Sequence, residues 1–130
     1  MSYAIRRFRR EDADEVARLC RAEGWESWDD AEEVANALTG GGVTTLVAAE
    51  GDRVVGAIEV IGDGHINWLV AMLLVAPGKR GRGIGTGLVE AAFAETGARR
   101  LDVLTEDEGP RFYRRLPHRE LLGFRLYRPS

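Results

Sequence analysis

The chain has 130 residues, of which 45% are hydrophobic and 30% charged, with a net charge of -3. That fits one globular domain with a sizeable core. It excludes a disordered chain and a membrane-embedded one, since no apolar run approaches the ~18 to 20 residues that cross a bilayer.

So weak a negative charge does not imply nonspecific nucleic-acid binding. Cys20 is the only cysteine; it can form no internal disulfide, no Cys/His cluster offers a metal site, and a reducing cytoplasm is the default compartment. The opening MSYAIRRFRR has cations with no apolar stretch behind them, unlike a secretory leader. Charge is uneven along the chain. Residues 11 to 33 carry ten carboxylates against two arginines, and residues 111 to 128 carry six arginines against Glu120. Either block reads as a solvated face, and the acidic one also as a rim for a cationic substrate.

In chain order, YAIRRF reads as a first strand. DADEVARLCRAEG follows as a helix with Val16, Leu19 and Cys20 inward and Gly24 as its stop. SWDDAEEVANAL is a second helix, with Ser27 and Asp30 at capping-box spacing and Ala31, Val34, Ala35 and Leu38 as its stripe. VTTLVAAEGDRVVGAIEVIG is a hairpin around Gly51-Asp52. HINWLVAMLLVAP is a long apolar strand, expected to be buried on both faces in mid-sheet. A helix runs from about Gly83 to Glu95, RRLDVLT is another strand, PRFYRRL a short helix and GFRLYR the last strand. The expected order is β-α-α-β-β-β-α-β-α-β in a single domain over residues 1–130.

The densest signal is LLVAPGKRGRGIGTGLVEAAF, residues 73 to 93. A strand passes through a glycine turn into a helix, whose N-terminus offers unpaired N–H groups and a partial positive charge. Phosphates settle at such a place. Glycines at 81, 83 and 85 let a backbone approach an anion, Arg80 and Arg82 add charge, and Thr86 adds a hydroxyl. The glycines alone fit an ordinary turn equally well. The pattern is not a P-loop, lacking G-K-[ST], and it fails the dinucleotide fingerprint at the third glycine.

With Arg80, Gly83 and Gly85 in an Arg-x-x-Gly-x-Gly arrangement after Leu73-Leu74-Val75 and Ala76-Pro77, and with Phe112-Tyr113 and Gly123-Phe124 near the end, the chain resembles the GCN5-related N-acetyltransferase (GNAT) family along nearly its whole length. The resemblance implies an α/β fold with a central mixed, mostly antiparallel sheet flanked by helices, and acetyl-CoA as cofactor. It implies that residues Gly81, Arg82, Gly83, Ile84, Gly85 and Thr86, with Arg80, hold the diphosphate, and that Leu73, Leu74 and Val75 pair with the pantetheine where the strand splays from its neighbour. It also implies transfer of an acetyl group to a primary amine of a small molecule or peptide in a ternary complex, with Tyr113 as acid.

No carboxylate lies in the long strand, so Glu59 on the strand before it is the candidate base, the other reading being a surface carboxylate. His65 is a weaker candidate near a glycine turn. Trp25, Glu26, Trp28 and Asp29 fall where the family lines its acceptor side; aromatics with carboxylates suit a cationic amine, and equally an ordinary amphipathic helix. Two departures stand out. Nine residues, RRLPHRELL, separate Tyr113 from Gly123 where the family usually has three, and Glu106 stands where an Asn often contacts the cofactor. A catalytically inactive acyl-CoA-binding sensor domain is therefore the alternative. RNA binding through the single Arg-Gly turn has no stacking aromatics behind it. Proteins of this kind often pair through sheet edges or helices, which leaves a homodimer as an open expectation.

Overall fold

Five strands form one sheet in the order β1-β2-β3-β4-β5. The computed structural model describes residues 2–106 and 109–130. Its elements are β1 (Ala4–Arg7), α1 (Ala13–Ala22), α2 (Ala31–Leu38), β2 (Val43–Glu50), β3 (Arg53–Gly62), β4 (Trp68–Val75), α3 (Ile84–Thr96), β5 (Asp102–Val103) and α4 (Gly109–Tyr113), with short 3-10 turns at Arg10–Asp12 and Glu26–Trp28. β1 to β4 run antiparallel to their neighbours, and β5 alone is parallel to its partner, β4. The mixed, mostly antiparallel sheet expected from the sequence is what forms.

Helices cover both faces. On one, α1 and α2 bury Val16, Cys20, Val34 and Leu38 against Val47, Ala57, Met72 and Leu74. On the other, α3 buries Ile84, Leu88 and Ala92 against Leu46, Ile58, Val60 and Val70. Fully burying each such aliphatic side chain contributes about 1.5–3 kcal/mol, so these two layers carry the fold. Gly51 and Asp52 make the expected two-residue loop between Glu50 and Arg53. Asp12, almost fully buried, accepts two bonds of 2.8 Å from the Arg6 guanidinium and one from the Arg9 amide. It ties β1 to the start of α1, and the Arg6 bonds hold its carboxyl below the usual range.

Several local expectations are corrected. α2 starts later than expected, because Asp30 rather than Ser27 caps it, accepting from the Glu32 amide at 2.9 Å. The long strand starts at Trp68 rather than at His65. Asp63 Oδ1 collects the amides of His65, Ile66 and Asn67, and that folds these residues into a turn. β4 is not buried on both faces throughout, since Leu69 and Ala71 are exposed. The strand expected over RRLDVLT shrinks to Asp102–Val103. The tenth element is absent: Gly123–Arg128 forms no strand and is exposed. Its alternating pattern pairs with no strand among the described residues.

Candidate active site

The irregularity that shapes the site lies in the middle of β4. Glu59 of β3 pairs with Met72, but the next residue, Val60, pairs with Val70. Ala71 is therefore an extra residue, a bulge. The consequence is visible in the packing. Val70 faces α3 and Met72 faces α1 and α2, although residues two apart on a regular strand share a face. Past the bulge, Leu74 stays on the α1/α2 side while Leu73 and Val75 turn to the α3 side.

On its other edge β4 pairs with β5 only at Leu69↔Asp102 and Val70↔Val103. Pairing ends one residue before the bulge. From Ala71 to Val75 the strand keeps β3 on one side and pairs with no strand among the described residues on the other, so alternate main-chain groups there point away from β3, the Val75 carbonyl among them accepting from Arg80.

β4 leads straight into the glycine turn. Gly78, Gly81 and Gly83 have φ of 86°, 79° and 82°, a left-handed region that side chains other than glycine rarely adopt. Gly83 is the N-cap of α3, and no side chain caps it. The first helical bond is from the Gly87 amide to the Gly83 carbonyl at 2.9 Å, which leaves the amides of Ile84, Gly85 and Thr86 without partners inside the helix. A Cβ at Gly81 or Gly83 would meet nothing within 4 Å, so the space before the helix is open. Gly85 also makes room for a neighbour, because a Cβ there would come 2.9 Å from Phe112 Cε1. Likewise Gly87 makes room for the Tyr3 hydroxyl, which donates to the Gly83 carbonyl at 3.2 Å.

Arg80 does not point freely into this space. Its Nε donates to the Val75 carbonyl at 3.1 Å, and its other end is ion-paired with Glu23. Arg82, exposed, makes no ion pair among the described residues. Lys79 is paired with Glu50 at 2.6 Å.

Glu59 is 3% exposed and its carboxyl group hydrogen-bonds to no described residue. Its partners in the ladder, Thr45 and Met72, put it on the α1/α2 face beside the bulge. Burial pushes its carboxyl up to about 7. Tyr113 ends α4, stacked edge-on against Phe112 with ring centres 5.1 Å apart. Phe112 seats α4 on the first turn of α3. Burial pushes the Tyr113 phenol up to about 12, so it is protonated at neutral pH.

Trp25 and Trp28 are half-buried against the α1/α2 core, while Glu26 and Asp29 between and beside them are exposed. His65 is exposed in the β3–β4 turn. It lies at the opposite end of β4 from the glycine turn, a strand length of roughly 25 Å, and so is not part of this constellation. The nine-residue insertion folds into its own turn, closed by Arg114 on Glu120 at 2.9 Å and His118 Nδ1 on the Leu116 carbonyl at 2.7 Å. Sequence reasoning did not find Ala71, Glu23 or Tyr3. Nothing in WLVAMLLV marks a bulge, and Glu23 and Tyr3 are distant in sequence from what they touch.

The GNAT acetyltransferase domain model matches residues 41–116, from β2 through α4. This chain belongs to the GNAT acetyltransferase family. It is an acetyltransferase, in a family that uses acetyl-CoA as co-substrate. Solved structures of GNAT proteins resemble it over their full length. A GNAT-family acetyltransferase from Streptococcus pneumoniae is 26% identical with a TM-score of 0.80, covering 99% of this chain and 100% of the other. A ribosomal-protein-alanine N-acetyltransferase from Brucella melitensis is 17% identical with a TM-score of 0.78, covering 98% and 99%. AAC(6')-Iy, solved with the bisubstrate analogue CoA-S-monomethyl-acetylneamine, is 16% identical with a TM-score of 0.79, covering 100% and 99%. No curated protein matches the sequence significantly. Among the described residues no helix of this GNAT domain is long and apolar enough to cross a membrane, and no group of three or more His, Cys, Asp or Glu side chains could hold a metal.

Proposed function

We propose that this GNAT domain moves the acetyl group of acetyl-CoA to a primary amine of a small molecule or peptide, by direct attack within a ternary complex. The observation that carries the reading is one juxtaposition: the free edge of β4 from Ala71 to Val75 runs into the open, uncapped first turn of α3. Acetyl-CoA fits these residues, and when bound it supplies an activated thioester whose sulfur departs as a thiol.

The amides of residues 81 to 86 bind the diphosphate at the positive end of α3, aided by Arg82. Arg80 shapes the turn by bridging Val75 and Glu23. The free edge of Leu73, Leu74 and Val75 holds the pantetheine as an added strand. The main-chain N–H of Leu73 on that edge donates to the acyl oxygen as charge develops there. Holding donor and acceptor together contributes most of the acceleration, on the order of 7–11 kcal/mol where alignment is good.

Glu59 takes the proton of the attacking amine. A carboxyl near 7 is suited to general-base work at neutral pH. Tyr113, protonated throughout that range, gives a proton to the departing sulfur. Glu26 and Asp29 draw in the cationic form of the amine, and Trp25 and Trp28 present aromatic faces to it. Neighbours of this fold include a ribosomal-protein-alanine N-acetyltransferase and a protein bound to an acetylneamine conjugate of CoA, which supports an amine acceptor.

The test is release of CoA thiol from acetyl-CoA across a panel of aminoglycosides, polyamines, amino acids and peptides, alongside calorimetric titration with CoA. Saturable heat with amine-dependent thiol release is expected. Saturable heat with no release from any amine would establish the sensor reading instead, and absence of heat at millimolar CoA would sink both.

A further inference from the structure

On the α1/α2 face of the sheet the helices stop short of one row of side chains. Trp68 and Val70 of β4, with Leu101 and Val103 at β5, pack toward α3. Alternation therefore turns Leu69 and Asp102 to the other face, where Glu59 and Ile61 of β3 also lie, two places apart. Ile61 pairs with Leu69 and Leu69 with Asp102, so the three stand side by side across β3, β4 and β5, one strand repeat away from Glu59. Ile61 and Leu69 are each 41% exposed, and Asp102 is exposed. A cleft of about 280 Å³ opens along this row toward the β3–β4 turn.

The two carboxylates of the cleft differ in what they have left to offer. Asp63 is committed to the turn: its Oδ1 accepts from the amides of His65, Ile66 and Asn67, and its Oδ2 from the Asn67 side chain. Asp102 makes no ion pair among the described residues, although Arg99 and Arg100 stand just before it in the sequence. It is open to a cation from outside. With strands ~4.8 Å apart and a rise of ~3.3 Å per residue, Glu59 and Asp102 stand roughly 12 Å from each other. The strand between them is β4, which presents the apolar Leu69 there.

We infer that the acceptor of this site is a linear diamine: a primary amine at Glu59, joined by an uninterrupted apolar chain over Leu69 to a second ammonium at Asp102. The inference rests on the acetyl-transfer reading with Glu59 as base, and it names the substrate class within that reading. The near nitrogen bonds to the acyl carbon and gives up its proton to Glu59, while the CoA sulfur departs with the proton of Tyr113. The far nitrogen stays charged throughout and only anchors the molecule. Ile61 and Leu69 take the methylenes of the chain out of water. A charge in mid-chain would instead be set on leucine, where no carboxylate meets it. A monoamine of the same length gains the apolar contact but not the Asp102 anchor.

The experiment measures kcat/KM for CoA thiol release with α,ω-diamines of increasing chain length, with monoamines of the same lengths, and with a triamine whose third nitrogen lies in mid-chain. Among the diamines kcat/KM should rise about two- to fourfold per added methylene, and level off once the nitrogens stand on the order of 10 Å apart. At that length the diamine should exceed the monoamine about two- to fivefold, the worth of one exposed ion pair, and the triamine should fall below both. Asp102→Asn should erase the advantage of the diamine over the monoamine, and Leu69→Thr should flatten the dependence on chain length. Both side chains are exposed, so the melting temperatures of the two variants should match the parent's. Equal rates for diamine and monoamine at every length overturn the inference, as does an advantage that survives Asp102→Asn or a length dependence that survives Leu69→Thr. In each of those cases thiol release from the amines keeps the acetyl-transfer reading intact, whereas no release from any amine ends both.

Discussion

Arg80 and Glu23 lie 57 positions apart in the sequence and meet side chain to side chain at the base of the glycine turn. The same guanidinium donates to the carbonyl of Val75, the last residue of β4. One arginine thus ties the end of the open strand edge, the turn and the C-cap of α1 into a single unit. The pair is partly exposed, with side-chain accessibilities of 53% and 27%, so its worth to global stability is small, about 0–1 kcal/mol. Its effect is local order at the mouth of the site.

From this we expect Arg80→Ala to leave the melting temperature nearly unchanged while weakening CoA binding about tenfold, or ~1.4 kcal/mol. Glu23→Gln keeps the Val75 bond and should weaken binding less. Calorimetric titration of both variants with CoA checks the ordering. Equal affinities in parent and Arg80→Ala would show that the turn holds its shape without this tie.

The glycines of the turn separate by mechanism. Gly83 has φ of 82° with open space around it, so Gly83→Ala is penalised by backbone strain alone, on the order of 1–2 kcal/mol. Gly85 has an ordinary helical backbone, but a side chain there meets Phe112. Gly85→Val should therefore displace α4, and with it Tyr113, so that kcat falls along with CoA affinity. The double variant Gly85→Val/Phe112→Ala should recover part of the CoA affinity, and Gly83→Ala/Phe112→Ala should not. Titration of the four proteins with CoA decides it.

Much of this architecture was legible because it is written in local periodicity. The two apolar layers follow the stripes of α1, α2 and α3, and the β2–β3 loop follows from Gly51-Asp52. Glu59 was a candidate because the long strand has no carboxylate and the strand before it has one, and its place in the ladder adds what the sequence lacks: nearly complete burial, with no cation paired to it among the described residues. Illegible features are those in which one segment's form depends on another's presence. The bulge at Ala71 shows only when β4 is set against β3, since every residue around it is apolar. The segment 123–128 has the pattern of a strand, and a pattern cannot supply the partner that makes it one. Ser27 and Asp30 each have N-cap chemistry, and the choice between them fell to the 3-10 turn at Glu26–Trp28 that precedes α2.

Glu59 should leave two signatures in pH. Its folded-state value of about 7 lies above the ordinary 4.5, so the folded chain holds this proton more tightly than the unfolded chain does. Its contribution to stability is therefore fully present below about pH 4.5 and is lost as pH rises through 7. The ceiling on that loss is roughly 3 kcal/mol. Glu59→Gln removes the dependence, and the variant should gain on the parent between pH 5 and 8 in urea denaturation. In kinetics, the rise in kcat/KM with an apparent value near 7 should vanish and the rate should fall about 10² to 10⁴-fold. A parent stability profile that is flat from pH 5 to 8 relative to Glu59→Gln would show that the carboxylate is solvated in solution.

Tyr113 supplies the sharpest separation between binding and chemistry. Its hydroxyl hydrogen-bonds to no described residue, and the ring is held by Phe112 and by burial. Removing the hydroxyl should therefore cost the fold little. Tyr113→Phe is expected to keep CoA affinity within about twofold and to lower kcat about 10² to 10³-fold, the range for loss of a positioned acid. The deficit should shrink when the departing thiol is a better leaving group, because a more acidic thiol needs less help from a proton donor. Comparing acetyl-CoA with an acetyl ester of a more acidic thiol, in parent and variant, measures this directly. If the ratio of rates is the same for both donors, the phenol positions rather than protonates, and the acid role of Tyr113 fails while the site itself stands.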